Sequence, residues 1–280
     1  MPTFNTPEPI SVTIEFVVGD ARITASDRVD TVVDVRPSDR SHEPDVRAAE
    51  QTRVEYATGR MLVKAPKQRG LGLFGKAGSI DVTIELPAGS HLHGEAAVGA
   101  FRGVGHLGEC RIKTSTGDIQ LEDTGAVDLT TLGEIVVDRV VGNAEVSTGS
   151  GKVRLREIDG AAVIKNSNGD SWVGEITGDL RANAANGDIS VDNAHADVTA
   201  NTANGDIRIG AAERGSASLK TAFGQVEIGI HSGTAARLDV HTSFGRVHNY
   251  MDTADSPASS EETIEVRART SYGDIVIRRV

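Results

Sequence analysis

Cysteine, aromatic residues and long apolar runs are all scarce in this 280-residue chain. The single cysteine, Cys110, excludes an internal disulfide framework, and its alternating surroundings predict a small core residue. Aromatic residues make up only 4% of the chain, too few for a wide globular core. No stretch approaches the roughly 20 apolar residues of a membrane span, so the sequence predicts no transmembrane segment.

An excess of positive charge is also missing. The formal net charge is −11, which opposes long-range attraction to nucleic acid or to an anionic membrane, so we predict no nucleic-acid partner. The first eight residues contain neither a basic start nor an apolar run. The sequence therefore predicts a cytoplasmic location, with the cell surface as the alternative if an unrecognised export route is used.

Glycine, with 31 residues, is abundant instead, and it recurs within one short phrase. A polar or aromatic residue precedes the glycine, and apolar residues alternating with polar ones follow it. The glycines are Gly117, Gly133, Gly151, Gly169, Gly187, Gly205, Gly224, Gly245 and Gly273. Their spacings are 16, 18, 18, 18, 18, 19, 21 and 28 residues, and such a period is the signature of stacked repeats.

Each repeat splits into two short strands around its glycine. In the clearest one, residues 198–202 and 206–209 alternate in polarity on either side of Asn204-Gly205. Asn-Gly between alternating runs also favours an antiparallel meander, sandwich or barrel. The constant offset decides for a solenoid, because only there does each residue lie on the one 18 positions later. We predict an all-β, single-stranded parallel β-solenoid, right-handed by the bias of parallel connections.

The first part of the chain lacks the period but still alternates. We expect residues 1–90 to form an irregular N-terminal β region, a cap with the first rungs, and residues 91–280 to form the solenoid of about 18-residue repeats, all in one elongated domain. Within the first region, Gly19-Asp20 predicts a turn between two strands, and residues 44–51 predict a short helix.

The run from Thr83 to Ser90, which contains Leu-Pro-Ala-Gly-Ser, precedes the serial Gly-Asp-Ile phrases. In this combination the chain resembles the bacterial adhesin-like β-strand-repeat family, a domain of unknown function numbered 4097. The similarity extends from Ile10 to the C-terminus. It implies a β-solenoid, and it implies no catalytic activity.

Metal and cofactor sites are weakly indicated. Asp170, Asp188 and Asp206 should stack about 5 Å apart, an arrangement that a calcium ion could bridge but that solvated turn carboxylates also explain. The run from Gly70 to Lys76 matches the dinucleotide pattern, but a strand follows it where that motif requires a helix. We therefore predict no cofactor and no closed metal site.

A basic, apolar-tipped segment is the main candidate for partner binding. It lies between two predicted strands of an acidic protein, and it is either a mobile loop or a docking loop for a partner or membrane surface. The residues predicted to bind are Lys67, Arg69, Leu71, Leu73, Phe74 and Lys76.

Four aromatic residues occupy positions of interest. Phe223, Phe244 and Tyr272 stand before corner glycines, where earlier repeats have asparagine. Stacked over one another they would stiffen the solenoid, or form a stripe that binds a sugar or peptide. Trp172 is interpreted as replacing an aliphatic residue of the second strand, where it would be a core or half-buried residue.

The outward positions of the second strands are mixed and contain no acid–base pair, so no catalytic residues are predicted. The expected function is a non-enzymatic scaffold or adhesin-like protein that presents corner loops to a protein or glycan partner. A calcium-dependent binding module is the alternative, and a polysaccharide-active β-helix enzyme is a distant one. The final strand, residues 274–277, predicts an uncovered last rung through which copies could associate end to end.

Overall fold

The computed structural model describes residues 1–66, 78–251 and 262–280. The chain divides into two compact units, residues 1–137 and 138–280. Both units are all-β and carry parallel strands in the β-solenoid arrangement that the sequence predicts. The division at residue 90 and the handedness of the solenoid stay predictions.

Unit 1 contains eleven complete strands and one helix in its described residues. They are β1 (Thr3–Asn5), β2 (Ser11–Ser26), β3 (Asp30–Pro37), α1 (Glu43–Gln51), β4 (Arg53–Ala57), β5 (Arg60–Lys64), β6 (Ser79–Pro87), β7 (His91–Val98), β8 (Phe101–Leu107), β9 (Cys110–Thr116), β10 (Ile119–Thr124) and β11 (Val127–Thr131). A further strand, β12 (Ile135–Val141), spans the boundary between the units.

Unit 2 consists of strands throughout its described residues. They are β13 (Ala144–Thr148), β14 (Val153–Asp159), β15 (Ala162–Asn168), β16 (Ser171–Ile176), β17 (Leu180–Asn186), β18 (Ile189–Ala194), β19 (Val198–Asn204), β20 (Ile207–Ala212), β21 (Gly215–Phe223), β22 (Val226–Ile230), β23 (Thr234–Phe244), β24 (Val247–Asn249), β25 (Glu262–Tyr272) and β26 (Ile275–Arg279).

The long strand β2 is inserted between later strands of unit 1. Its first part pairs in parallel with β5 on one side and β7 on the other, and its second part pairs with β6 and β8. The sequence predicts that Gly19-Asp20 separates two strands. This prediction is wrong, because the pairing of β2 with β6 continues through both residues. Gly19, with a φ of 145°, makes a corner inside one continuous strand.

Antiparallel strands and the helix cover the first rung of unit 1. β4 pairs with β5, β3 pairs with β6, and β1 pairs with β3, all antiparallel. The helix α1 carries a proline in its first turn and is fixed by Asp45, whose buried carboxylate accepts the Ser79 N–H at 2.9 Å. These elements lie outside the 18-residue period, so the sequence could not place their strands.

Unit 2 stacks its strands in two columns with an 18-residue register from β13 to β20, and the register shifts by one residue at β21 and β22. The first column runs β13, β15, β17, β19 and β21, and the second runs β14, β16, β18, β20 and β22. Like residues lie on like, as with Val173, Val191 and Ile209, which are all buried. Alternation along each strand sends these side chains to a shared apolar interior and the polar ones to the surface.

The last rungs of unit 2 are not stacked in chain order. β25 lies between β21 and β23, and β26 lies between β22 and β24. The prediction that residues 274–277 form an uncovered last rung is therefore wrong, because β26 is paired on both sides. The end of the stack among the described residues is formed by β23 and β24, which come earlier in the chain.

The corner glycines are required by close approach between rungs. Gly187 has a φ of 131°, and a Cβ built on it would lie 2.1 Å from the carbonyl oxygen of Gly169. Gly133 and Gly245 do not show a positive φ, yet a Cβ on either would also lie within 2.4 Å of a backbone oxygen. Glycine is thus selected at these corners by the rung below as well as by backbone conformation.

Candidate functional site

One corner of unit 2 carries a continuous ladder of side chains from successive rungs. Asn186 donates an amide hydrogen bond to the Oδ1 of Asn168 at 2.8 Å, and Asn204 donates to Asn186 at 2.8 Å. All three amides are exposed. Because Asn186 donates to Asn168 and accepts from Asn204, the central amide is held in a fixed direction.

Aromatic rings continue this ladder beyond Asn204. Phe223 is the register partner of Asn204, and Tyr272 is the register partner of both Phe223 and Phe244. The ring centroids of Phe223 and Tyr272 are 5.0 Å apart, and those of Phe244 and Tyr272 are 4.8 Å apart. The interplanar angles are 2° and 8°, so the rings stack face to face at the spacing of neighbouring strands.

These six residues, which we call the corner ladder, form the candidate site: Asn168, Asn186, Asn204, Phe223, Tyr272 and Phe244. The rings are exposed by 54% for Phe223, 49% for Tyr272 and 66% for Phe244. The sequence predicts that the rings stack, and the structure confirms it. Their order could not be predicted, because Tyr272 lies between two residues that precede it in the chain.

The candidate metal ligands Asp170, Asp188 and Asp206 lie beside the corner ladder. The backbone N–H of Asp188 donates to Asp170 at 3.2 Å, that of Asp206 to Asp188 at 2.8 Å, and that of Gln225 to Asp206 at 2.7 Å. Each carboxylate thus binds the next rung. Within the described ranges, no three His, Cys, Asp or Glu side chains are grouped so that they could hold a metal ion.

A row of buried hydroxyl groups supports the corners from inside, and the sequence analysis missed it. Thr202 donates to the carbonyl oxygen of Gly187 at 3.1 Å, Thr221 to that of Gly205 at 2.9 Å, and Thr270 to that of Gly224 at 3.0 Å. The sequence contains a pattern that could have predicted this row, since a threonine stands three residues before several of the corner glycines. These bonds fix the corner backbone that carries the ladder.

The predicted docking residues Lys67, Arg69, Leu71, Leu73, Phe74 and Lys76 lie outside the described residues. The docking loop therefore stays a prediction. A helix with the length and apolar character of a membrane span is not found in the three described ranges.

Comparison with known proteins assigns the fold to a family. The sequence pattern of the Toastrack DUF4097 family matches residues 11–279. The chain belongs to the Toastrack DUF4097 family. This match confirms the resemblance stated from the sequence, and its extent covers both units. A comparison with curated proteins finds no match for the Toastrack chain.

Three solved structures are similar to the Toastrack chain over 100% of its length. A "putative cell adhesion protein" of Clostridium sporogenes is 12% identical, with 98% of its own chain covered and a TM-score of 0.20. A "putative adhesin" of Bacteroides fragilis is 11% identical, with 95% covered and a TM-score of 0.32. A "putative adhesin" of Parabacteroides distasonis is 14% identical, with 95% covered and a TM-score of 0.40. The family assignment rests on the sequence match alone.

Trp172 of the Toastrack chain points outward, so the core alternative is wrong and the half-buried alternative holds. Its register partners are Arg154 and Ser190, while Ser171 is the residue aligned with the buried Ile189. The indole is half-buried, and its Nε1 donates to Asp192 at 3.2 Å. The error was a shift of one position, which sends a side chain to the opposite face of a strand.

A shallow groove of about 230 Å³ on unit 1 contains carboxylates and arginines from neighbouring rungs. This is the arrangement that a polysaccharide-active site would need, but each carboxylate has a structural partner. Asp20 accepts the Ala100 N–H at 2.9 Å, Asp118 accepts the Glu134 N–H at 2.9 Å, and Asp81 accepts the Ser38 hydroxyl at 2.8 Å. The carboxylates act as acceptors that join the rungs.

Two further ionisable groups have shifted pKa values. His195 lies between Glu213, with Nδ1 to Oε2 at 2.5 Å, and Glu175, with Nε2 to Oε1 at 3.0 Å. The hydrogen bond to Glu213, aided by that to Glu175, raises the pKa of His195 against the effect of burial. Burial raises the pKa of the Cys110 thiol to about 12, so Cys110 is a neutral core residue and not a nucleophile.

Proposed function

We propose that this Toastrack chain is a non-enzymatic scaffold whose corner ladder binds a protein partner. The observation that carries the proposal is the exposure of three adjacent apolar rings at a corner where the preceding rungs present amides. Phe223, Tyr272 and Phe244 are each exposed by about half or more. Aromatic residues that are exposed together and bordered by polar groups are typical of interaction sites.

The stacking favours a protein over a glycan as the partner. A sugar ring packs on an open aromatic face, but both faces of Tyr272 are covered, by Phe223 and Phe244 at 5.0 and 4.8 Å, and among the described residues the stack leaves an open face only at its end, on Phe244. The ring edges remain accessible, and methionine, arginine and aromatic side chains of proteins make favourable contacts with such edges. The amides of Asn168, Asn186 and Asn204 would add hydrogen bonds beside the apolar contact.

The scaffold holds the ladder with little freedom to move. The corners are fixed from outside by aspartates that accept a backbone N–H, as at Asp188, and most are fixed from inside by a threonine hydroxyl, as at Thr202, or by the Asn166 amide. A preorganised surface loses little conformational entropy when it binds, so a small apolar area can contribute useful affinity.

Replacing all three rings by asparagine tests the proposal. The variant Phe223→Asn, Phe244→Asn, Tyr272→Asn extends the amide ladder that earlier rungs already carry, so the fold should be kept. Trp172→Ser is the matched control, because it removes an aromatic side chain from another surface and leaves the corner unchanged. Thermal melting of each variant verifies folding.

A partner captured from extracts of the source cells should bind the native chain and Trp172→Ser but not the asparagine variant. Capture of the same proteins by all three would refute the proposal. Binding of a glycan array that depends on the three rings would establish a glycan partner instead. Cell fractionation would show whether that partner meets the chain in the cytoplasm, as the sequence predicts, or at the cell surface.

A further inference from the structure

The end of the stack in unit 2 presents a strand with one unpaired edge. Among the described residues, β23 pairs only with β25, and β24 pairs only with β26. In a parallel pair, every second residue of a strand directs its N–H and C=O groups away from the partner. β23 is eleven residues long, so it offers a long row of backbone donors and acceptors to another strand.

No described residue covers the apolar interior at this end. Leu238 and Val240 are the register partners of Val266 and Ala268, which are fully buried. Leu238 and Val240 point into the same interior but are only half-buried, and Val247 of β24 is 43% exposed. The rung made by β23 and β24, which we call the open rung, thus combines unpaired backbone with exposed core side chains.

The charges on β23 indicate what could cover it. Arg237 and Asp239 flank Leu238 on the outward face of the strand. When two copies of β23 lie antiparallel and centred on Leu238, Arg237 of each copy lies opposite Asp239 of the other. Inside, Leu238 meets Leu238 and Ala236 meets Val240. Moving the centre by one residue brings Arg237 or Asp239 against its own copy, which is unfavourable.

We propose that the open rung binds a second copy of this chain, with the two β23 strands antiparallel and centred on Leu238. The same surface is used by both copies, so the contact closes as a two-fold dimer and does not continue into a fibre. Asp239 already accepts two hydrogen bonds from the Arg269 guanidinium at 2.7 Å, one through a carboxylate oxygen and one through its backbone carbonyl oxygen, which keeps a second lone pair for another strand. The cross-copy ion pairs therefore select the register more than they add affinity.

Disulfide trapping tests the register directly. In Leu238→Cys the two new thiols face each other across the two-fold axis, where neighbouring Cα atoms are about 4.5–5.5 Å apart, within reach of a disulfide. In the control Ala235→Cys the two thiols belong to positions six residues apart along the paired strands, roughly 20 Å. Leu238 and Ala235 are both half-buried, so their accessibility is matched.

We expect a covalent dimer from the full chain carrying Leu238→Cys under mild oxidation, and none from Ala235→Cys. The native Cys110 is buried and does not interfere. Equal trapping at both positions would overturn the proposed register, and trapping at neither would overturn the interface.

Sedimentation tests the association without a new covalent bond. The native chain should dimerise as its concentration rises, and Leu238→Lys should weaken the dimer at least tenfold, because it places two like charges at the axis. Ser218→Lys on β21, a strand paired on both edges, should change nothing. A native chain that stays monomeric would overturn the proposal. Dimerisation appearing only after residues 252–261 are replaced by a glycine–serine linker would assign the open rung to that segment.

Discussion

Substituting the corner glycine Gly187 by alanine should separate the effect of rung stacking from that of backbone conformation. The φ of 131° at Gly187 lies in a region that side chains other than glycine avoid, at a cost of about 1–3 kcal/mol. The added Cβ would also lie 2.1 Å from the Gly169 oxygen, well inside the 3.0 Å that real Cβ contacts keep. The two rungs must therefore move apart.

This movement weakens hydrogen bonds that join the rungs at the corner. The Gly169 N–H donates to the carbonyl oxygen of Asn186 at 2.9 Å, and the Asp188 N–H donates to Asp170 at 3.2 Å. With about 0.5–1.5 kcal/mol for each of the two bonds added to the strain, Gly187→Ala should lower the free energy of unfolding by about 2–6 kcal/mol in total. The melting temperature should fall by about 10 °C.

Gly233→Ala is the control for this prediction. Gly233 also has a positive φ, 94°, but a Cβ there would meet nothing within 4 Å. Only the conformational strain of about 1–3 kcal/mol applies, so the melting temperature should fall by about 5 °C, half as much as for Gly187→Ala. Urea and thermal unfolding of the two variants measure the difference. Equal destabilisation would refute the claim that contact between rungs selects glycine at the corners.

Three further predictions concern groups that join neighbouring rungs. Thr202→Val should lower the free energy of unfolding by about 1 kcal/mol in urea titrations, because the Gly187 carbonyl loses its hydroxyl partner; an unchanged midpoint would deny the inner row a structural role. The raised pKa of His195 means that its stabilisation is present below about pH 6.5 and is lost as the pH rises through the folded-state pKa. Melting temperatures measured across this range should therefore fall by about 1–3 °C in the native chain, a small effect because the group is partly exposed, and His195→Gln should flatten the fall. Calcium should leave the melting temperature unchanged within about 1 °C, since the corner carboxylates of Asp170, Asp188 and Asp206 already bind backbone N–H groups; an increase of several degrees, reversed by a chelator, would favour the calcium-dependent module.

Much of the fold could be predicted because its repeat is written in the sequence. Asn168, Asn186 and Asn204 are 18 residues apart, and they stack in register as the period requires. The aromatic ladder followed from the same reasoning, since a residue before a corner glycine occupies the same place in each rung. Local patterns of this kind predict the structure reliably where each rung lies between the rungs that precede and follow it in the chain.

The failures occur where a rung departs from this rule. Trp172 was assigned to the wrong face because Ser171 takes the inward position that isoleucine holds in the next two rungs. The order of Phe223, Tyr272 and Phe244, and with it the identity of the open rung, could not be inferred from chain order. The spacing of the corner glycines does not show whether a strand pairs with its neighbours in chain order.

The sequence by itself determined the strand alternation, the corner glycines and the parallel stacking of identical units, because these depend on a repeat of fixed length. Only the tertiary structure decided that β2 lies between strands that follow it and that β25 and β26 lie inside the stack. The physical reason is that a β-strand edge is bound by backbone hydrogen bonds, which are the same for any sequence. Which strand completes an edge is therefore settled by long-range packing and connection, and this choice places β23 at the exposed end.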